Sequence, residues 1–332
     1  MSGSSPLPPR IELPDFGYGA AALGNLFRVV DDVTAACVVE AAWDAGVRHF
    51  DVAPHYGLGL AERRLGAALA GRPRETYVLS TKVGRLLRPS PETAAELDTA
   101  NAFHVPADQK RVWDDSADGL RRSLAESLER LGTDRIDVAY LHDPEEHVPD
   151  GTTLSATLAA SLPRLAALRD EGLVRAVGVG SKSVATLLTA VRSGQLDVIM
   201  LSGRYTLLEQ PARAELLPAC LEHGVAVVAV SVYNSGALSE PDPHADLPYD
   251  YGAMPPQVLD RVTRLAAVCR EHGTDLPTAA LHFPLRHPAV TSVVVGAHSP
   301  AQLLENVDRF ARPVPAEVWD ALEQVDLLPS PW

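Results

Sequence analysis

The sequence has no segment suited to a membrane, to export or to a polyanionic partner. No apolar run approaches the length that crosses a bilayer, and the Ser- and Pro-rich residues 1–10 lack the basic-then-apolar order of a signal peptide. Lys and Arg number 29 against 43 Asp and Glu, and they form no cluster along the chain. We therefore expect a cytoplasmic protein that binds neither membranes nor nucleic acid.

Cysteine is also scarce, with 3 in 332 residues. Cys37, Cys220 and Cys269 lie far apart, each in a segment with an amphipathic helical pattern. That distribution favours buried, unpaired thiols in a reducing compartment. Neither Cys220 nor Cys269 has the neighbours that would mark a catalytic nucleophile.

The sequence does contain a regular alternation of short, β-branched apolar runs with longer segments of helical period. The predicted strands span residues 17–23, 48–51, 77–82, 137–141, 174–178, 198–201, 225–230 and 290–296. The predicted helices include residues 32–45, 61–70, 116–131, 154–171, 184–192, 212–223 and 256–272. Eight alternating units predict a parallel sheet covered by helices, and the count favours a closed (β/α)₈ TIM barrel of the α/β class.

No Gly/Ser-rich or charged linker divides the chain, so we expect one domain over residues 1–332, with residues 1–15 as a flexible N-terminal segment. Two segments rich in Pro and Asp, residues 88–115 and 232–255, interrupt the alternation. Each follows a strand. Both are therefore expected on the C-terminal face of the barrel, where the active sites of such folds are built.

Ionisable groups follow three successive predicted strands. Asp51 ends the second strand, Lys82 ends the third and His142 follows the fourth, while Tyr56 lies in the loop after Asp51. In a barrel these four side chains converge at one rim. Because a cation in an apolar setting needs a partner, Lys82 is expected to pair with Asp51.

A lysine beside a phenol stabilises the phenolate, so the pKa of Tyr56 is expected to fall below its usual value of about 10. Tyr56 would then exchange a proton with a carbonyl or hydroxyl oxygen, and His142 would orient that oxygen. Taken singly, Asp51 is better explained as a cap of the turn, a tyrosine such as Tyr56 is more often a rim aromatic, and His142 is compatible with a surface histidine. Their joint placement at successive strand ends favours function.

Two other patterns carry less weight. Residues 17–22 fit the Gly-x-Gly-x-x-Ala form of a dinucleotide fingerprint, but Pro14 precedes them and no clean helix follows, which disfavours a Rossmann fold. Residues 142–147 hold two histidines and three acids, but Pro144 interrupts any regular helical face, so we predict no metal site.

The chain resembles the aldo-keto reductases over residues 17–306. The resemblance is carried by residues 46–51, by the Tyr56–Gly57 pair, by residues 80–82, by the Leu141–His142 pair and by residues 293–306. It implies that Asp51, Tyr56, Lys82 and His142 form a catalytic tetrad, with Tyr56 as general acid or base and hydride passing to or from a nicotinamide. Residues 55–59, 203–208, 234–236 and 249–251 are similar to a branch acting on L-fucose and D-threo-aldoses, and to related pyridoxal 4-dehydrogenases.

The resemblance also implies a site for NAD or NADP. Tyr205 matches a tyrosine that stacks on the nicotinamide, and Ser181 stands where relatives hold the carboxamide. Many relatives carry Lys or Arg where His298 stands, and that cation pairs with the 2′-phosphate of NADP. His298 therefore favours NAD, with both cofactors usable. The other implied cofactor contacts are Gly19, Ala20, Ala21, Asp51, Ser231, Val232, Asn234, Gly236, Leu238, Gly296, Gln302, Glu305 and Asn306.

The implied substrate is a small aldose or carbonyl compound, contacted by Tyr56, Trp113, His142, Asp143 and Arg204. Our first hypothesis is oxidation of the anomeric carbon of an aldose to a lactone. The alternatives are oxidation of pyridoxal, NADPH-dependent reduction of a small aldehyde or ketone, and a regulatory barrel that holds a cofactor without turnover. Trp113 is equally well explained by ordinary loop packing. No interface is visible in the sequence, so the oligomeric state is left open.

Overall fold

Parallel pairing closes eight strands into a barrel. The structure, a computed structural model, describes residues 11–328. Within that range the strands are β1 (Phe16–Gly19), β2 (His49–Asp51), β3 (Val78–Val83), β4 (Arg85–Pro89), β5 (Gln109–Trp113), β6 (Val138–His142), β7 (Ala176–Ser181), β8 (Val198–Ser202), β9 (Ala226–Val230) and β10 (Val290–Gly296). The barrel order is β1-β10-β9-β8-β7-β6-β3-β2, which confirms the predicted (β/α)₈ TIM barrel.

Helices surround this barrel and connect its strands. They are α1 (Asp32–Asp44), α2 (Leu60–Leu69), α3 (Ala117–Leu131), α4 (Leu154–Asp170), α5 (Val184–Arg192), α6 (Leu216–His223), α7 (Pro256–Glu271), α8 (Leu276–His282), α9 (Pro300–Ala311) and α10 (Ala316–Gln324). The predicted helix over 212–223 is shorter than expected, because Pro211–Arg213 forms a separate 3₁₀ turn. Within residues 11–328, no helix combines the length and apolar character needed to cross a membrane.

Alternate residues of each strand face opposite sides of the barrel wall. One set packs under the helices, and the other forms a separate apolar cluster in the lumen that includes Val138 and Tyr140. His142 follows these two residues at the same two-residue spacing, and Lys82 likewise follows Val78. Strand periodicity therefore places both ionisable side chains at the carboxyl end of the lumen.

The opposite end of the lumen contacts the N-terminal segment. Ile11 is buried in the lumen cluster, and Leu13 packs against it. The first ten residues of the segment that the sequence predicts to be flexible, residues 1–10, lie outside the described residues.

The segment 88–115, which interrupts the strand–helix alternation, contains a strand of its own. β5 pairs antiparallel with β4, so Trp113 lies opposite Arg85 in a two-stranded hairpin. Residues 90–108 separate the two strands, and no short turn signal marks the pairing in the sequence. The hairpin follows β3 and rises from the carboxyl rim of the barrel.

The expected burial of all three thiols is wrong for Cys37. Cys37 is exposed, whereas Cys220 and Cys269 are buried. The buried face of α1 consists of residues 35, 38, 39 and 42, and position 37 falls on the other side of the helix.

The segment after β1 is also different from the prediction. Residues 17–23 were expected to form one strand, but Ala20–Gly24 is a 3₁₀ helix that packs on the loop carrying Tyr56. A Cβ atom at Gly24 would lie 2.7 Å from the Tyr56 carbonyl carbon, and one at Gly57 would lie 2.3 Å from the Gly24 oxygen. Two glycines are required for this backbone contact, which fixes the height of Tyr56 above the lumen.

We predict that Gly24→Ala lowers the free energy of unfolding by about 1–3 kcal/mol, because backbone atoms cannot yield to the new methyl group. Thermal melts followed by circular dichroism measure the change. Gly252→Ala is the matched control, since its Cβ would meet nothing closer than the Tyr249 oxygen at 3.7 Å. Equal melting temperatures for the two variants would contradict the assigned contact.

Candidate active site

A buried ion pair lies at the carboxyl end of the lumen. Lys82 Nζ donates to Asp51 Oδ2 at 2.6 Å, and the two side chains are 2% and 5% exposed. Ser80 Oγ donates to Asp51 Oδ1 at 2.7 Å, and Lys82 also donates to the Val52 carbonyl at 3.1 Å. Burial lowers the pKa of Lys82, but Asp51 and then Tyr56 more than offset it, so the pKa lies above its usual value. The lysine is therefore a permanent cation.

Tyr56 lies directly beside this cation. The centre of its ring is 4.9 Å from Lys82 Nζ. Burial raises the pKa of Tyr56 to about 12, while the charge and hydrogen bond of Lys82 act to lower it. The sequence led us to expect a net lowering, and that expectation is wrong: Lys82 acts in the predicted direction, but the removal of the phenol from water has the larger effect.

His142 completes the group around the lumen mouth. Its ring stands perpendicular to that of Tyr56, with the centroids 6.1 Å apart. Burial, followed by the charges of Arg85 and Lys82, holds the pKa of His142 well below its usual value, so the ring is neutral near pH 7. Nε2 lies 3.2 Å from Asp143 Oδ2, which favours the tautomer with hydrogen on Nε2. The structure thus brings Asp51, Tyr56, Lys82 and His142 together.

Arg85, which the sequence analysis did not single out, lies next to this group. It is 5% exposed and donates from Nη2 to Asp143 at 2.7 Å and to Glu146 at 3.0 Å. Nη1 lies 3.4 Å from His55 Nδ1, and the guanidinium sits 4.3 Å over the ring of Trp113. Its position depends on the β4–β5 hairpin, so no local signal in the sequence identifies it.

The residues predicted to contact substrate occupy different settings. The ring of Trp113 lies under Arg85 and stacks in parallel on His147 with a centroid distance of 5.3 Å. Asp143 is beside His142, and burial raises its pKa to about 7 while Arg85 opposes that shift. Arg204 pairs with Glu209 at 3.0 Å and with Asp250 at 3.1 Å, so its guanidinium is already engaged.

Two residues expected near the nicotinamide are engaged by protein groups. Ser181 Oγ donates to Glu145 and accepts from the Ser183 amide at 2.8 Å. Tyr205 is 1% exposed and packs on Phe283 with a centroid distance of 5.1 Å, so its ring offers little free face in this arrangement.

Open backbone lies at the rim of the barrel where β1 and β10 end, just before α9 begins. Gly19 and Gly296 are register partners, and a Cβ atom at Gly296 would meet only the Gly19 oxygen, at 3.6 Å. The missing side chains leave open backbone, and the N-terminus of α9, capped by Ser299, suits a phosphate. These residues fit a nicotinamide dinucleotide, which they would hold through backbone and helix-end contacts.

Most of the other predicted cofactor residues contact protein groups. His298 Nε2 contacts the Leu26 carbonyl at 3.0 Å, and the His298 amide donates to the Gln302 side chain at 2.8 Å. Ala20 and Ala21 lie in the 3₁₀ helix after β1, and Gly236 lies in the turn after Asn234. Ser231 Oγ is 3.0 Å from Ser202 Oγ, and the Asn234 side chain donates to Glu209 at 3.3 Å. Glu305 pairs with Arg309 at 2.6 Å, and Asn306 accepts from Tyr233 at 2.9 Å. Val232 and Leu238 are 1% and 0% exposed, so their side chains belong to the core.

Among residues 11–328, no group of three or more His, Cys, Asp or Glu side chains is arranged to hold a metal ion. A lysine cation, a phenol and a neutral imidazole lie in contact at the mouth, and such groups are able to exchange a proton with a substrate oxygen. Fold and site together define a barrel oxidoreductase.

The aldo/keto reductase family model matches residues 15–327, and the chain belongs to that family. It is 52% identical over 322 residues to a D-threo-aldose 1-dehydrogenase from a Pseudomonas species, covering 97% of this chain and 96% of that protein. It is 36% identical over 324 residues to a pyridoxal 4-dehydrogenase from Microbacterium luteolum, covering 94% of each. An aldo-keto reductase from Bacillus halodurans, solved in its holo form, superposes with a TM-score of 0.73 at 25% identity, covering 97% of this chain and 96% of that one.

We predict that Lys82→Met lowers kcat/KM for oxidation about 100-fold or more at pH 8, because the phenolate of Tyr56 loses its stabilising cation. The rising limb of kcat/KM with pH should also move to higher pH, since the influence that lowers the Tyr56 pKa is gone. Lys110→Met removes a 56% exposed lysine of the hairpin and is the control. If the rising limb of kcat/KM lies at the same pH in Lys82→Met as in the native protein, Lys82 does not lower the pKa of Tyr56.

Proposed function

We propose that the protein oxidises the anomeric carbon of an aldose to a lactone with NAD or NADP, using Tyr56 as the general base. The observation that carries the proposal is the buried Asp51–Lys82 pair beside Tyr56 and a neutral His142. The similarity to the D-threo-aldose 1-dehydrogenase supports the substrate class. The nicotinamide, the cofactor usual for this family, supplies the hydride acceptor when bound.

The chain's own residues manage the proton. When a sugar binds, His142 Nε2 donates its hydrogen to the C1 oxygen in place of Asp143 Oδ2 and orients that oxygen. Tyr56, as phenolate, accepts the proton of the C1 hydroxyl as the C–H hydride leaves and the lactone carbonyl forms. Lys82 stabilises the phenolate, and Asp51 keeps Lys82 in place. Because the pKa of Tyr56 is about 12, the active phenolate becomes more abundant as pH rises, and oxidation is favoured in alkaline solution.

A second candidate is oxidation of pyridoxal, which the similarity to the pyridoxal 4-dehydrogenase favours. Both reactions remove hydride and proton from a carbon–oxygen pair at the same site. Absorbance at the reduced nicotinamide band separates them when L-fucose, D-arabinose, L-galactose and pyridoxal are offered in turn with each cofactor. Consumption of NADPH with a reactive aldehyde, and no oxidation of any sugar, would favour a reductase instead.

We further propose that NAD is the preferred cofactor. Burial lowers the pKa of His298, and its Nε2 already contacts the Leu26 carbonyl, so this side chain offers no positive charge for a 2′-phosphate. Arg28 is the nearby cation, since its charge also lowers the pKa of His298. Because the charge of Arg28 can still attract a 2′-phosphate, the proposed preference for NAD is partial and NADP remains usable.

We predict that Tyr56→Phe lowers kcat for oxidation by roughly 100- to 10,000-fold, because the proton acceptor is removed. The dissociation constant of the cofactor, measured by fluorescence titration, should change by less than about threefold. Tyr77→Phe, at the far end of β3, is the matched control and should keep its activity. Full activity in Tyr56→Phe would remove Tyr56 from the mechanism, and turnover of no substrate by the native protein would revive a purely cofactor-binding barrel.

We predict that His298→Arg raises kcat/KM with NADP relative to NAD by roughly tenfold or more, because a guanidinium binds the 2′-phosphate as a charged pair. Steady-state kinetics with both cofactors at a fixed sugar concentration give the ratio. His298→Gln, which adds no charge, is the control. A ratio unchanged in His298→Arg would place the 2′-hydroxyl away from this side chain.

A further inference from the structure

The geometry points to the Arg85–Asp143 pair as the element that selects substrates bearing a hydroxyl group on the carbon next to the reacting one. The substrate class is then the 2-hydroxy aldehydes, including aldoses in their cyclic form. This inference rests on the proposed function, since it assumes that the reacting oxygen lies at Tyr56 and His142. Asp143 accepts a hydrogen bond from this hydroxyl group. Arg85 is a positioning residue, since it donates to Asp143.

Asp143 keeps an acceptor available to a ligand. Its contacts with Arg85 and His142 both fall on Oδ2, at 2.7 and 3.2 Å. Within residues 11–328 the side-chain contacts of this carboxylate all fall on Oδ2, and the side chain is 22% exposed although it lies beside buried groups. A carboxylate with one oxygen anchored and the other accessible is suited to accept from a hydroxyl.

The position of the Asp143 carboxylate determines which hydroxyl group of the substrate can donate a hydrogen bond to it. In the proposed mechanism His142 Nε2 donates to the reacting oxygen. Asp143 Oδ2 lies 3.2 Å from that nitrogen. Oxygens on adjacent carbons of a sugar lie roughly 2.8 Å apart, the same length as an O–H···O hydrogen bond. A substrate whose first oxygen meets His142 therefore brings its neighbouring oxygen within reach of Asp143.

Arg85 keeps Asp143 in the required place and charge state. The Asp143 backbone has a φ of 41°, and its amide donates to the Gly180 carbonyl at 2.9 Å, so the side chain is aimed by an unusual backbone. Arg85 opposes the effect of burial, which leaves the pKa of the Asp143 carboxyl at about 7, so the carboxylate predominates in the alkaline solution that favours oxidation. Because Arg85 is itself held by Trp113 and His55, the hairpin determines where the carboxylate lies.

The experiment must separate this role from a purely structural clamp between the hairpin and the loop after β6. The measured quantity is the ratio of kcat/KM for L-fucose to kcat/KM for 2-deoxy-L-fucose, with NAD as oxidant. We expect the native protein to prefer L-fucose by roughly 10- to 100-fold, the range of one hydrogen bond to a charged group. Asp143→Ala should bring the ratio to within about threefold of unity.

Arg85→Met should reduce the ratio in the same way, chiefly by raising KM for L-fucose, and Arg85→Lys should restore part of it. Arg88→Met is the matched control, since Arg88 lies on the same strand and pairs with Glu126 at 2.9 Å, away from the mouth. Its ratio should equal that of the native protein. Loss of kcat/KM by the same factor for both sugars in Arg85→Met would mark Arg85 as structural only and overturn the inference.

A failure of the proposed function gives a different result. If no sugar is oxidised, the same variants are assayed by reduction of lactaldehyde and of propionaldehyde, which differ by the hydroxyl at the adjacent carbon. A preference for lactaldehyde that disappears in Asp143→Ala supports the inference even without aldose oxidation. Equal reduction of the two aldehydes by the native protein would overturn it.

Discussion

The ion pair between Lys82 and Asp51 is the interaction on which the rest of the site depends. Each of these two buried charges also has a second hydrogen-bonding partner, which offsets part of the cost of burial. Removal of either side chain would leave the other charge buried and unpaired. The pair keeps the lysine charged at all physiological pH values. That fixed charge acts directly on the phenol of Tyr56 and, at longer range, on the ring of His142.

The placement of the pair follows from strand periodicity, which is why so much of the site was predictable from sequence. Successive side chains of a strand point to opposite faces, so the position of a residue along the strand decides whether it faces the helices or the lumen. Asp51 and Lys82 stand at the ends of short apolar runs, so their convergence at one rim required no knowledge of distant contacts. The closed barrel was predicted from a different pattern, the alternation of eight strands with helices along the chain.

The parts that were not predictable depend on contacts remote in sequence or on burial. Trp113 meets Arg85 although residues 86–112 lie between them in the chain, and no local pattern in the sequence predicts the pairing. The direction of the Tyr56 pKa was wrong because the sequence supplies the neighbouring charge but not the loss of water around the phenol. Val232 and Leu238, assigned to the cofactor by resemblance, have side chains in the core.

The β4–β5 hairpin has a consequence for how such an enzyme diversifies. The hairpin is a separate two-stranded sheet joined to the barrel wall after β3, and it shares no ladder with the barrel strands. The residues proposed to transfer the proton come from the barrel and its adjoining loop, whereas Arg85 and Trp113 come from the hairpin. Mutations that remodel the hairpin can therefore alter which molecules are accepted while the reactive centre stays unchanged, so selectivity and catalytic power are free to evolve at different rates.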